Sequence, residues 1–216
     1  MDQAVLIGIA VAGALWGFAS DRLAARWPAH EDGSIRPIDW RTPTVAIIGA
    51  AAFAGTVLRF ESDPVTFVVV GIYVLALVVL FATDLDQRLL PDVITLPLIA
   101  LAAIVLVSGQ SVFIRTNDEV LWAVAASIIV PAGLFLLSIP FGQGAIGQGD
   151  LKLLVSVGLL LGAAKLVSAL IAGALLAGLG VGLLLLARRI SLKSFVPYGP
   201  FLIAGTLWAI LGLPQP

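Results

Sequence analysis

The chain has 216 residues, of which 60% are apolar and 12% charged, and its mean hydropathy is +1.11. Soluble domains carry about 25% charged residues, so this composition predicts an integral membrane protein, and a formal net charge of −1 gives no sign of a nucleic-acid partner. The lack of cysteine excludes disulfides, thiolate nucleophiles and cysteine-bound zinc. The single histidine, His30, lies in a polar stretch and is interpreted as a solvated loop residue. The catalytic chemistries that remain are those of a carboxylate or of a serine–lysine pair.

Eight apolar runs follow one another along the chain, and a membrane-spanning helix needs about 20 residues. The runs lie at 4–20, 43–58, 65–83, 91–107, 121–139, 151–162, 166–187 and 197–213. We therefore expect an all-α, polytopic membrane protein with about eight transmembrane helices, forming a single domain over residues 1–216. No basic segment precedes the first run, so a retained helix is expected there rather than a cleaved signal peptide.

Lysines and arginines are distributed unevenly among the connecting segments. With both termini outside, nine of the twelve fall on the cytoplasmic side, Lys193 among them, and three fall outside: Arg59, Arg115 and Lys165. The positive-inside rule therefore predicts that both termini are outside. The segment 21–42 is then a short cytoplasmic loop, either an ordered cap or a mobile loop. The same orientation places four acids at the cytoplasmic face: Asp84, Asp86, Asp92 and Asp150.

The first three of these acids follow the third apolar run closely. Asp84 directly ends the run, and it either marks the membrane boundary or has a function. Asp86 and Arg88 are interpreted as a solvated loop pair. Pro91 suits the first turn of the fourth helix, where the charge of Asp92 complements the helix N-terminus.

The fourth acid, Asp150, lies in the glycine-rich stretch AIGQGDLKLL at 145–154. Gly147 and Gly149 indicate a tight turn or the close approach of another segment. A carboxylate beside an apolar span is costly and suggests a function, although Asp150 also suits a helix N-cap. The span from Asp150 to Gly162 covers only about 18 Å as a helix, which favours a position for Asp150 below the membrane surface.

Asp84 and Asp150 are predicted at cytoplasmic helix ends, and two carboxylates that approach closely share a proton. The deprotonated one can take a proton from water while the protonated one polarises a peptide carbonyl. A proton-coupled transporter that uses the two acids as a relay is the alternative, and a structural or assembly subunit is a third possibility.

A serine–lysine peptidase is the competing chemistry. Lys152 and Ser156 are four residues apart and share a helical face, and a desolvated lysine can act as a base. At the interface, however, Lys152 can keep its charge in water.

Two motifs resemble those of the type IV prepilin peptidase family, membrane aspartic peptidases that also methylate pilins. Residues 84–92, DLDQRLLPD, followed by VITLP, resemble its first aspartate motif, which implies that Asp84 is a catalytic acid. Residues 147–152, GQGDLK, resemble its Gly-x-Gly-Asp motif, which implies that Asp150 is the other. Substrate binding or motif support is then expected of six residues: Gly147, Gly149, Lys152, Asp86, Pro91 and Asp92.

The resemblance covers nearly the whole chain. Residues 197–201, PYGPF, resemble the start of the family's last helix, and residues 37–45 the start of its second. Residues 17–28 look like a degenerate first-loop motif, with Asp21 where an asparagine is usual. The resemblance implies an inner-membrane endopeptidase that cuts the basic leader from prepilins or pseudopilins at the cytoplasmic face. The bilayer and the prepilin are the expected partners, without nucleic acid, and the oligomeric state is left open.

The departures from the family pattern concern the first loop and the second helix. Fuller members carry two Cys-x-x-Cys pairs that bind zinc in this loop, and Ala46 stands where a glutamate is usual. We expect no zinc and no cofactor for peptidase activity, and S-adenosylmethionine only if methyltransferase activity is retained. A further hypothesis is that Asp86 and Asp92 attract the lysines of the leader.

Overall fold

The computed structural model describes residues 3–30, 33–111, 113–141, 146–189 and 198–212. These residues form eight α-helices, a 3₁₀ turn after the fifth helix, and no strand. The helices are α1 (Gln3–Ala24), α2 (Arg41–Phe60), α3 (Pro64–Gln87), α4 (Asp92–Val107), α5 (Asn117–Ser138), α6 (Gln148–Leu161), α7 (Ala163–Leu186) and α8 (Gly199–Leu211). Each predicted apolar run coincides with one helix, so the all-α prediction is confirmed. Lys193 and Pro197, which the predictions used, lie outside the described residues.

Five helices, α1, α2, α3, α5 and α7, are long and apolar enough to cross a membrane by length and composition. The apolar helices α4 and α8 have 16 and 13 residues, and α6 has 14. A multi-pass membrane protein is therefore confirmed. The count of eight spans and the outside position of the termini remain predictions.

The hairpin of α1 and α2 is held by close contact between their backbones. A Cβ atom added to Gly13 would overlap the carbonyl oxygen of Gly49, and one added to Gly49 would overlap that of Gly13. Gly17 packs in the same way on the backbone of Val45. Small residues allow helices to approach this closely in membranes. The connecting segment between α1 and α2 is thereby held near the C-terminal end of α3.

The central helix is α3, which packs against α1, α2 and α8 and touches α4. Its side chains are apolar around the whole circumference, as expected for a helix that other helices surround. Its last turns are buried from Leu77 to Asp84. A polar group near the C-terminus of α3 is therefore enclosed by protein.

The two ends of the helix bundle differ in chemistry. At one end, Arg59 Nη1 donates to the carbonyl of Leu211 at 2.7 Å, and Lys165 Nζ to that of Ala209 at 3.4 Å. Cations at the C-terminus of α8 complement its helix dipole. The C-terminus of α3 and the N-terminus of α6 lie at the opposite end, so Asp84 and Asp150 are on the same side.

Candidate active site

Asp84 lies in the last turn of α3 and is only 5% exposed. Arg88 follows the helix in the left-handed region, with φ of 56°, and its N–H donates to the Asp84 carbonyl at 2.9 Å. This turn ends α3 and leads through Leu89–Pro91 into α4. An acid that only marked the membrane boundary would face water, whereas the carboxyl group of Asp84 is enclosed.

Asp150 is the third residue of α6, and the N-cap position belongs to Gly147. The prediction of Asp150 as N-cap is therefore wrong, because the helix begins three residues earlier. Its side chain instead accepts a hydrogen bond from the backbone N–H of Gly147. An acid at the third position commonly returns to the N-cap in this way. This bond orients the carboxyl group. Its oxygen Oδ1 is buried and has no hydrogen-bond partner among the described residues.

Gly149 allows the turn after α3 to lie on the first turn of α6. A Cβ atom on Gly149 would lie 2.6 Å from Leu90 Cβ and 3.0 Å from the Leu90 carbonyl oxygen. Next to this contact, Lys152 Nζ lies 2.6 Å from Asp92 Oδ1, although Asp92 is 58% exposed and such pairs contribute little to stability. Asp92 is the first residue of α4, so its charge lies in the first turn as predicted, and it also pairs with Lys152. Pro91, predicted in that turn, is the N-cap instead. The two predicted motifs therefore touch.

Both acids line one cavity of about 390 Å³. Asp84 Oδ2 and Asp150 Oδ1 are buried, and neither has a hydrogen-bond partner in the part of the chain that the structure describes. The two carboxyl groups are close enough to interact electrostatically. Arg88 and the turn to Asp92 form one side of the cavity, and the first residues of α6 form the other. The predicted pair thus shares one site, and its catalytic role remains a prediction.

Gly199, the first residue of α8, forms a wall against Asp84. A Cβ atom at this position would lie 2.5 Å from Asp84 Oδ2 and 2.6 Å from Cγ. Its neighbour Tyr198 is partly buried and interacts electrostatically with Asp150. The sequence assigned neither residue to the site, although the PYGP motif was the available signal. The start of α8 therefore completes the surroundings of both acids.

Asp86 is buried rather than solvated, which corrects the prediction of a solvated loop pair. Its carboxylate is 2% exposed and contacts Arg36 Nε at 2.6 Å, Arg41 Nη1 at 3.0 Å and His30 Nε2 at 3.1 Å. His30 is accordingly a partner of Asp86 rather than a free loop residue. The reason is that the segment after α1 folds back over the end of α3. The carboxylate of Asp86 thus already has three partners, two arginines and one histidine.

Asp21 extends this network to α1. It is 1% exposed, accepts a hydrogen bond from Thr42 Oγ1 at 2.7 Å, and is ion-paired with both Arg22 and Arg36. Burial alone would lower the pKa of Arg36, but Asp21, Asp86 and Asp39 outweigh it and raise that pKa above its usual value. A charged Arg36 therefore links the ends of α1 and α3. Among the described residues of the loop, these contacts favour the ordered cap over the mobile loop.

The donor set for a structural zinc site is missing from this loop. The chain contains no cysteine, and no cluster of three or more His, Asp or Glu residues suits a metal ion within the described ranges. The chain therefore lacks the two cysteine pairs of the zinc site considered in the sequence analysis, and ion pairs hold the described part of the loop.

The serine–lysine alternative is wrong, because both groups have other partners. Ser156 Oγ is fully buried, lies 2.7 Å from the hydroxyl of Tyr73 and donates to the Leu153 carbonyl at 2.8 Å. Lys152 is paired with Asp92. The bond between Tyr73 and Ser156 connects α3 to α6, the two helices that carry the acids.

Replacing Asp86 by alanine is expected to destabilise the protein. The change removes one counter-charge from Arg36 and Arg41. Because Arg36 keeps Asp21 and Asp39, we expect a loss of about 2 kcal/mol of unfolding free energy, below the about 3 kcal/mol of a buried charge left without any partner. Thermal unfolding in detergent measures the effect. The exposed Asp118 offers a control, since Asp118→Ala should cost under about 1 kcal/mol. Equal unfolding midpoints for the two variants would show that the network does not hold the loop.

The fold and the site define a class: a polytopic, all-helical membrane protein in which a buried and a half-buried aspartate from different helices face one cavity. Residues 71–183, which contain both acids, match the model of the type IV leader peptidase family. The chain belongs to this family. No solved structure matches it.

Several curated relatives carry the name prepilin leader peptidase/N-methyltransferase. The protein of Burkholderia pseudomallei (strain 1026b) is 33% identical over 170 residues, which are 78% of this chain and 54% of the relative. That of Aeromonas hydrophila is 31% identical over 182 residues, 83% of this chain and 61% of the relative. That of Dichelobacter nodosus is 31% identical over 166 residues, which are 75% of this chain and 55% of the relative. The chain thus spans little more than half the length of these relatives.

Proposed function

We propose that this chain is a membrane aspartic endopeptidase that removes the leader of type IV prepilins or pseudopilins. Asp84 and Asp150 activate the water that attacks the scissile carbonyl. One observation carries the proposal: Asp84 and Asp150 line the same cavity, and each has one buried oxygen without a hydrogen-bond partner within the described structure. Family membership and the names of the relatives support the substrate class.

The reaction needs one of the two carboxyl groups ionised and the other protonated. The carboxylate takes a proton from water as the water oxygen bonds to the carbonyl carbon, and the other acid gives its proton to the carbonyl oxygen. The tetrahedral intermediate then collapses. The C–N bond breaks, the nitrogen takes a proton from the acid that gained one, and the second hydroxyl proton returns to the other carboxylate. The pair titrates as one unit, so neither role is assigned to a single residue.

The walls of the cavity suit a peptide backbone. Its volume of about 390 Å³ is within the range of ligand pockets. Gly147 lies next to Asp150, where a Cβ atom would be 3.0 Å from Oδ2. Because this residue is a glycine, no side chain fills the space next to the carboxyl group. Of the two acids suggested to attract leader lysines, Asp86 is 2% exposed and paired with two arginines, whereas Asp92 is paired with Lys152 but 58% exposed. We therefore keep this role for Asp92 alone.

We further propose that the site faces the cytoplasm from the inner membrane and needs no metal or other cofactor for peptide hydrolysis. Methylation of the new N-terminus would require S-adenosylmethionine, and the departure at Ala46 argues against this second activity. Ala46 replaces the glutamate of the family pattern, and the Cα of Ala46 packs against Gly17 in the crossing of α1 and α2.

The deciding experiment combines purified protein with a prepilin in detergent and identifies the products by mass spectrometry. The proposal predicts a single cut that releases the leader. A proton-coupled transporter predicts no cut and a substrate-dependent proton flux in liposomes, so measuring both in one preparation separates the two functions. Flux without cleavage would overturn the peptidase assignment.

A further inference from the structure

A buried pair of hydroxyl groups joins the two helices that carry the acids. Tyr73 Oη on α3 lies 2.7 Å from Ser156 Oγ on α6, and both residues are fully buried. Within the described residues, no other side-chain hydrogen bond connects these two helices. Leu77 and Leu80, which follow Tyr73 on the same face of α3, are also fully buried. The pair is therefore a polar contact inside an otherwise apolar helix interface.

The direction of the hydrogen bonds follows from the number of protons. Ser156 Oγ carries one proton, and it donates this proton to the Leu153 carbonyl at 2.8 Å. The Tyr73 hydroxyl therefore donates to Ser156 Oγ. The result is a chain of two hydrogen bonds that leads from a side chain of α3 to the backbone of α6.

Both ends of this hydrogen-bond chain are linked to the acids through short lengths of helix. Tyr73 precedes Asp84 by eleven residues, or about three turns, so the two side chains lie on nearly the same face of α3. Leu153 follows Asp150 by three residues, or about one turn of α6. Helices bend only gently over a few turns. A change in the separation of α3 and α6 at the hydroxyl pair is thus transmitted to the acids.

Most of the packing around these two helices involves other helices. α3 packs against α1, α2 and α8, whereas α6 packs mainly against α4, α5 and α7. The two acids therefore belong to different groups of helices. Apolar contacts between such groups have no preferred direction, but a hydrogen bond requires a defined distance and angle. The hydroxyl pair can thus define the separation of α3 and α6 more closely than apolar packing does.

We infer that Tyr73 and Ser156 are positioning residues for the acid pair. Their hydrogen bond sets the separation of α3 and α6 at which the two carboxyl groups share a proton. The inference rests on the proposed function and adds to the site two residues that do not line its cavity. Each acts through its helix rather than on the substrate.

Removing both hydroxyl groups separates positioning from stability. Ser156→Ala leaves the buried Tyr73 hydroxyl without its acceptor and should lower the unfolding midpoint by several degrees. The double variant Tyr73→Phe/Ser156→Ala leaves no hydroxyl unpaired and should recover most of this loss. Its kcat for prepilin cleavage should still be about tenfold below that of the wild type with KM unchanged, because displacing a catalytic group by about 1 Å can cost about 10²-fold. Tyr73→Phe alone is the smallest change, and the same loss of kcat is expected.

The pH dependence of kcat is a readout that a purely structural bond would not change. The proposed reaction needs one proton on the acid pair, and the pH range of this state is wider when the two carboxyl groups interact more strongly. If the helices separate, the interaction weakens, so both variants should be active over a narrower pH range. The other ionisable groups around the pair are the same in every variant: Arg88, Asp92, Lys152 and Tyr198.

Ser127→Ala is the matched control. Ser127 on α5 is 2% exposed, and its hydroxyl donates to the Val124 carbonyl of the same helix at 2.8 Å. It also packs against Gly158 of α6. The variant therefore loses a buried hydroxyl next to α6 but no hydrogen bond between helices. Its kcat and its pH range should equal those of the wild type.

Two results would overturn the inference. The first is a wild-type kcat in the double variant or in a folded Tyr73→Phe variant, which would limit the bond to a role in stability. The second is a lower kcat with an unchanged pH range, because the two acids would then still interact as in the wild type. If the wild type does not cleave prepilin, the proposed function itself fails, and that result is distinct from the other two.

Discussion

Asp84→Asn is expected to lower kcat for leader cleavage by about a thousandfold or more, because general acid–base groups contribute about 10²- to 10⁴-fold. Asparagine has nearly the size of aspartate but can neither take a proton from water nor give one to the carbonyl. Asp150→Asn should have the same effect. The double variant should be little worse than either single one, because residues that act as a unit lose their function together. Single-turnover cleavage of a prepilin measures all three.

The control for this prediction is Asp118→Asn, an exposed acid far along the chain from both motifs. It should cleave like the wild type. Thermal unfolding of each variant shows whether a loss of activity reflects the chemistry or the fold. Near wild-type turnover in a folded Asp84→Asn or Asp150→Asn variant would remove that residue from the dyad.

The helices could be predicted from the sequence for a simple physical reason, and so could the position of the two acids at the same end of the helix bundle. Apolar runs of about helical-span length have few alternatives to a membrane helix, and the charged connecting segments fix which ends lie together. Every predicted run became a helix. The predicted motifs also met in space, because Gly149 gives the backbone of Leu90 room to approach α6.

Contacts between residues that are distant in sequence could not be predicted in this way. Asp86 looked solvated because its neighbours along the chain are polar, but Arg36, Arg41 and His30 reach it from a segment about 50 residues away. Tyr73 gave no signal for its bond to Ser156, since an aromatic residue in an apolar run is consistent with simple packing. Periodicity reveals which face of a helix is buried, and it does not reveal what lies against that face.

Gly199→Ala is expected to lower kcat by about a hundredfold in protein that stays folded, although the added methyl group costs about 1 to 3 kcal/mol of stability. The added Cβ atom would stand 2.5 to 2.9 Å from the carboxyl atoms of Asp84, which is closer than van der Waals contact. Asp84 is buried, so its short side chain must rotate or the start of α8 must shift. A displacement of about 1 Å at a catalytic group can cost about 10²-fold in rate. Cleavage kinetics and thermal unfolding of the same preparation measure both effects.

Gly178→Ala is the matched control, because no described atom would lie within 4 Å of the new Cβ in α7. Alanine favours a helix over glycine by about 1 kcal/mol, so this variant should be at least as stable as the wild type and equally active. Gly199 is the first residue of α8, where the preference for alanine is smaller than in a helix interior. A loss of activity in Gly199→Ala would still not follow from a weaker helix, because alanine does not disfavour the helix there. If Gly199→Ala cleaves at the wild-type rate, the contact between α8 and Asp84 does not set the position of the carboxyl group. If its activity falls only as far as its folded fraction does, the glycine serves the packing of α8 rather than the acid pair.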